Sequence, residues 1–166
     1  MTDGIDLTSE GFLAVAPDLY YWGSRLGCMG AGYALALAPN LGYAAVSVNY
    51  GGCPSDAQTW LAEACPIVGS YGAADRSPLG SAAGRRLESV LADHDIPHHV
   101  KVYPGVGHGF MNDHDPATLL LRFLARVSGT RYDEDATQDA RRRITEFFDT
   151  HLRDSPAGTT GQSSDD

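Results

Sequence analysis

The chain has 166 residues, of which 43% are hydrophobic and 20% are charged, as expected for one soluble globular domain. The formal net charge of −9 argues against a nucleic-acid-binding protein, and the apolar runs are far shorter than the roughly 18 residues of a membrane span. The polar first residues and an odd count of three cysteines without Cys-x-x-Cys spacing predict reduced thiols in the cytoplasm.

Predicted strands and helices alternate along the chain. We predict strands over residues 12–16, 43–48, 66–72 and 98–103, and helices over residues 28–38, 79–92, 116–127 and 136–152. Residues 53–64 are predicted as a loop with one helical turn. This alternation predicts an α/β fold with a mostly parallel sheet and helices on both faces. Residues 1–152 would form one domain, and the Ser/Thr/Gly-rich residues 153–166 a disordered tail.

The most informative stretch is Gly-Cys-Met-Gly-Ala-Gly at residues 27–32, which opens the first predicted helix after the aromatic segment 19–23. A reactive side chain between small residues at a strand-to-helix turn is typical of a nucleophile elbow. The positive end of the helix dipole favours the thiolate of Cys28. A buried cysteine in a Gly/Ala-rich helix start remains the structural alternative.

Two further residues lie in loops that follow predicted strands. Asp75 follows the strand at 66–72, and His108 stands between glycines after the strand at 98–103. In this interpretation Cys28 attacks a carbonyl carbon, His108 transfers the proton and Asp75 orients the imidazole. The backbone N–H of Met29 would bind the oxyanion. Taken singly, an aspartate here is more often a turn former and a histidine more often a plain loop residue.

These motifs together resemble the dienelactone hydrolase family of the α/β-hydrolase superfamily. The resemblance covers about residues 8–152 and rests on segments 10–20 (EGFLAVAPDLY), 28–30 (CMG), 47–51 (SVNYG), 70–75 (SYGAAD), 103–110 (YPGVGHGF) and 140–148 (ARRRITEFF). It implies that Cys28, Asp75 and His108 are the family's triad. It also implies hydrolysis of an ester or lactone through an acyl-enzyme, without a metal or organic cofactor.

The sequence departs from that family in three respects. The N-terminal strands, with the second oxyanion donor, are expected to be missing, and so is the segment before the elbow. Leu26 stands where the elbow has its first glycine. Trp22 and Asn112 occupy the positions of arginines that bind the substrate carboxylate, so dienelactone itself is not the expected substrate.

The remaining predictions concern side chains around the triad and the surface. The expected partner is a small ester or lactone, and the chain is expected to be a monomer or a weak homo-oligomer. The arginines at 141–143 are interpreted as the solvated face of the last helix. The alternative function is a catalytically inert, internally deleted family member that acts as a scaffold or interaction domain. Residues expected to contact the substrate, or else to pack, are Tyr20, Trp22, Tyr50, Phe110 and Asn112.

Overall fold

The computed structural model describes residues 27–112 and 131–153. The helices and strands predicted within these ranges are present, with ends that differ by at most three residues. The predictions for residues 12–16, 19–23 and 116–127 lie outside the described ranges. So does the tail predicted over residues 153–166, except for Arg153, which ends the last helix. No helix in the described ranges is long and apolar enough to cross a membrane. The elements are α1 (Gly27–Leu37), β1 (Val46–Asn49), α2 (Ala57–Trp60), β2 (Ile67–Gly72), α3 (Ser81–Asp93), β3 (His98–Tyr103) and α4 (Glu134–Arg153).

The three strands form a parallel sheet in the order β1-β2-β3. All six residues of β2 are buried, because this strand has a neighbour on each edge and helices on each face. Its short apolar sequence is typical of a strand in a parallel sheet. The predicted mostly parallel α/β architecture with helices on both faces is therefore confirmed.

Helices α1 and α3 cover one face of the sheet. Alternate β2 residues, Ile67 and Tyr71 among them, point to this face and pack with Leu35 of α1 and Leu87 of α3. The predicted inner stripe of α3 is confirmed, since Leu87, Val90 and Leu91 are all buried. Helices α1 and α3 therefore share one hydrophobic core with β1 and β2.

Helix α4 covers the opposite face. Ile144 and Phe148 pack on Val68, which points away from the α1–α3 side of β2. The Asp133 carboxylate caps the helix by accepting a hydrogen bond from the Ala136 N–H at 2.9 Å. The first turn of α4 carries Glu134 and Asp135, whose charges suit the positive end of the helix dipole.

The prediction of a solvated arginine run is wrong for Arg143, whose residue surface is only 4% exposed. Helical spacing from Ala140 to Phe147 places Arg143 in the inward stripe of α4, beside Ile144. Arg141 and Arg142 lie on the exposed side of the helix. The same period could have identified Arg143 as inward-facing from the sequence.

Helix α1 runs antiparallel to the strands. A Cβ atom at Gly51, just after the carboxyl end of β1, would lie 2.6 Å from the Ala31 Cβ, so only glycine allows this close approach. At the other end of the helix, the Ala38 carbonyl accepts a hydrogen bond from the Cys65 N–H, shortly before β2 begins. The N-terminus of α1 therefore lies at the carboxyl edge of the sheet.

Candidate active site

The Asp75 side chain is held by the loop that follows β2. The N–H groups of Ala73 and Ala74 donate to the carbonyls of Tyr103 and Val106 at 2.9 and 2.8 Å, which extends the pairing of β2 and β3 beyond the strands. A Cβ at Gly72 would lie 2.4 Å from the Val106 and Gly107 carbonyl oxygens, so a glycine is needed where the two loops meet.

The His108 loop is anchored on α4. The Phe110 carbonyl accepts hydrogen bonds from the Asp133 N–H at 3.1 Å and from the Thr137 hydroxyl at 2.9 Å. The Phe110 ring is fully buried. His108, two residues earlier, is therefore carried by a loop whose position depends on both β3 and α4.

Asp75 and His108 form a direct hydrogen-bonded pair. The His108 Nδ1 lies 2.6 Å from Asp75 Oδ2, and the side chains of histidine and aspartate are 19% and 0% exposed. The other carboxylate oxygen accepts the Ser77 N–H at 2.8 Å. Because one oxygen is fixed by the backbone, the other is directed at Nδ1, and Nε2 is the ring nitrogen that does not contact this carboxylate. Ser77 is not among the site residues predicted from the sequence, although Asp-x-Ser is a common turn signal.

Three residues predicted to contact the substrate lie around this pair. Tyr50 is 7% exposed and its ring centroid lies 5.5 Å from that of His108. Phe110 packs against Tyr50 and Tyr103, with centroid separations of 5.9 and 5.1 Å. Asn112 is partly exposed, and its Oδ1 lies 3.5 Å from the Tyr50 hydroxyl. The structure thus brings Tyr50, Phe110 and Asn112 to the His108 side of the site.

The predicted nucleophile lies at the same edge of the sheet. Cys28 and Met29 belong to the first turn of α1, which begins at the carboxyl edge. The predicted substrate-contacting residues Tyr20 and Trp22 lie outside the described residues.

A polar cluster stands behind the loop that carries His108. Arg143 donates to the hydroxyl of Tyr103 at 3.2 Å, and this hydroxyl donates to Asp139 Oδ2 at 2.8 Å. The Lys101 ammonium, 2.6 Å from the same oxygen, and the Tyr103 hydroxyl hold the pKa of Asp139 below its ordinary value. Burial raises the pKa of Tyr103. This cluster joins α4 to the end of β3, from which the His108 loop departs.

Two cavities of about 300 and 420 Å³ lie next to the loop that carries His108. Both are lined by Val106, Asp133 and Asp135, and His108 lines neither of them. Within residues 27–112 and 131–153 there is no group of three or more His, Cys, Asp or Glu side chains arranged to hold a metal ion.

A parallel sheet with helices on both faces, and an Asp–His pair on loops at its carboxyl edge, are features of α/β-hydrolases. The model of the dienelactone hydrolase family matches residues 26–152. The chain therefore belongs to the dienelactone hydrolase family. The match begins after segment 10–20, one of the segments on which the resemblance was based.

Similar proteins agree with this assignment. A putative carboxymethylenebutenolidase from Saccharolobus solfataricus is 29% identical over 121 residues, which are 73% of this chain and 41% of the relative. A putative dienelactone hydrolase from Klebsiella pneumoniae superposes with a TM-score of 0.52 at 19% identity, over 77% of this chain and 48% of that chain. A dienelactone hydrolase-like promiscuous phosphotriesterase from metagenomic libraries gives a TM-score of 0.51 at 15% identity, over 75% and 48%. The chain thus spans less than half the length of each.

Proposed function

We propose that this protein hydrolyses a small ester or lactone through Cys28, His108 and Asp75 with an acyl-enzyme intermediate. The observation that carries the proposal is the 2.6 Å hydrogen bond between His108 Nδ1 and the buried Asp75 carboxylate. While this bond is made, the ring carries its proton on Nδ1 and Nε2 can accept a proton. The close approach of Ala31 to Gly51 supports Cys28 as the nucleophile, because it places the start of α1 at the sheet edge where Asp75 and His108 lie.

The reaction has two halves that balance. The Cys28 sulfur attacks the carbonyl carbon and His108 Nε2 takes the thiol proton; the bond to the leaving oxygen then breaks and His108 protonates that oxygen. Water next attacks the thioester carbon and gives a proton to His108. The carbon–sulfur bond breaks, and the proton returns to the sulfur as the acid is released.

The electrostatic roles follow from the same arrangement. The Asp75 carboxylate stabilises the imidazolium that forms in both halves. The Met29 N–H is the proposed oxyanion donor, since it belongs to the residue after the nucleophile. Asn112 offers an amide instead of a cation, so we expect an uncharged ester or lactone as the substrate.

The test is hydrolysis of a small activated ester by the purified chain and four variants. Cys28→Ala and His108→Ala should each lower kcat/KM by at least about 10²-fold, and Asp75→Asn by a similar factor. Cys65→Ala removes a partly buried thiol elsewhere in the fold and is the matched control, with activity unchanged. Mass spectrometry of the quenched reaction should show the acyl group on Cys28.

A wild-type rate no higher than that of Cys28→Ala would overturn the proposal. That result would favour the alternative of an inert scaffold or interaction domain. An acyl adduct on Cys53 or Cys65 instead of Cys28 would also contradict the assigned nucleophile.

A further inference from the structure

Tyr50 packs against the His108 ring rather than facing solvent. Its residue surface is 7% exposed, and its ring meets the imidazole edge-on at 61° with a centroid separation of 5.5 Å. Its contact with Phe110 has the same geometry, at 74° and 5.9 Å. Such tilted contacts are the favoured arrangement of aromatic pairs. The ring therefore has little surface left for a substrate.

The backbone of Tyr50 is held in an unusual conformation. Its φ of +44° lies in the left-handed region, which is costly for a large side chain. The Tyr50 N–H donates to the Ser70 carbonyl at 2.8 Å, and the next residue, Gly51, abuts Ala31. Strain of this kind persists only where the surrounding structure enforces it, so the ring position is set by both β2 and α1.

The Asp75 hydrogen bond by itself does not fix the imidazole plane. It holds one ring atom, Nδ1, and does not prevent the ring from turning about its side-chain bonds until that contact is lost. The edge-on contact with Tyr50 removes this freedom. The Tyr50 hydroxyl lies 3.5 Å from Asn112 Oδ1, a long distance for a hydrogen bond, and the contact with His108 is made by the Tyr50 ring.

We propose that Tyr50 is a positioning residue, whose ring keeps Nδ1 of His108 on Asp75 and Nε2 directed at the nucleophile. The effect of Tyr50 on catalysis rests on the proposed hydrolase function. Its effect on the orientation of the His108 ring does not rest on that function, because this orientation can be measured without a substrate.

The experiment compares Tyr50→Leu, which removes the ring, with Tyr50→Phe, which keeps it. Phe148→Leu is the matched control, since Phe148 is 8% exposed and packs on Val68 and Ile144 in a separate cluster. Long-range ¹H–¹⁵N spectra report which nitrogen of His108 carries the proton, with His108→Ala giving the assignment. Activated-ester kinetics supply kcat and KM.

The wild type should show His108 protonated at Nδ1. Tyr50→Leu should show a mixture of tautomers and a kcat lower by about 10- to 100-fold, with KM within about twofold. Tyr50→Phe should recover the wild-type tautomer and most of kcat. Phe148→Leu should lose stability without altering either readout. If Tyr50→Leu does not fold, Tyr50→Met removes the ring with a side chain that fills irregular space.

An unchanged tautomer in Tyr50→Leu or Tyr50→Met would overturn the inference. A raised KM with unchanged kcat would also overturn it, because that pattern is the signature of a substrate contact. A wild type without esterase activity would defeat the proposed function, and the tautomer spectra would still decide the role of Tyr50.

Discussion

Replacing Arg143 with methionine should lower the free energy of unfolding by about 2–4 kcal/mol. The guanidinium donates to the His99 carbonyl at 2.7 Å, a short charge-assisted bond worth about 1.5–3 kcal/mol. Its other bonds, at 3.2–3.3 Å to Gly69, Ser70, Tyr103 and the His99 ring, are long and worth about 0.5 kcal/mol each. Methionine relieves the cost of burying the charge, which offsets part of this sum.

The assay is urea unfolding of the wild type, Arg143→Met and Arg141→Met, followed by circular dichroism. Arg141 is exposed on the same helix, so its replacement should change the unfolding free energy by less than about 0.5 kcal/mol. Burial is the largest cause that lowers the pKa of His99, and the charge of Arg143 is the second. Because Arg143→Met removes that charge, the pKa of His99 should rise. Equal losses in the two variants would refute the view that Arg143 is a buried structural residue.

Three further predictions test separate parts of the molecule. Gly72→Ala should cost about 1–3 kcal/mol in an unfolding titration, since its Cβ would lie 2.4 Å from the Gly107 carbonyl oxygen; unchanged stability would contradict this packing. Burial and neighbouring cations lower the pKa of His99 in the folded protein, so the unfolded chain binds more protons than the folded one just below about pH 6.5. The free energy of unfolding should therefore decrease as the pH is lowered through this range. His99→Gln should lose less stability than the wild type between about pH 7 and pH 5; an equal loss would exclude this linkage. Burial raises the pKa of the Cys65 thiol to about 11, so this thiol should react slowly with iodoacetamide at neutral pH. Cys28 should be modified before Cys65, and Cys28→Ala should lack the fast phase of labelling. Rapid labelling of Cys65 would contradict that order.

Much of the described fold could be predicted because its signals are local. The alternating pattern of residues 98–103 gave both ends of β3 without error, and the helical spacing of Leu87, Val90 and Leu91 identified the inner stripe of α3. The rule that functional residues follow the carboxyl ends of parallel strands singled out Asp75 and His108, which the structure joins at 2.6 Å.

The sequence by itself determined the α/β class, the order of the elements and the loops that carry the acid and the histidine, because periodicity and turn residues act over short stretches of chain. Only the tertiary structure decided which groups surround the buried arginine and which side chain the aromatic residue beside the site contacts. Arg143 is buried while its two neighbours are exposed, and Tyr50 packs on His108 instead of facing solvent. Helical spacing alone places Arg143 in the inward stripe of α4, but the groups that bury it, and the ring against which Tyr50 packs, belong to segments distant in the sequence, which local patterns do not report.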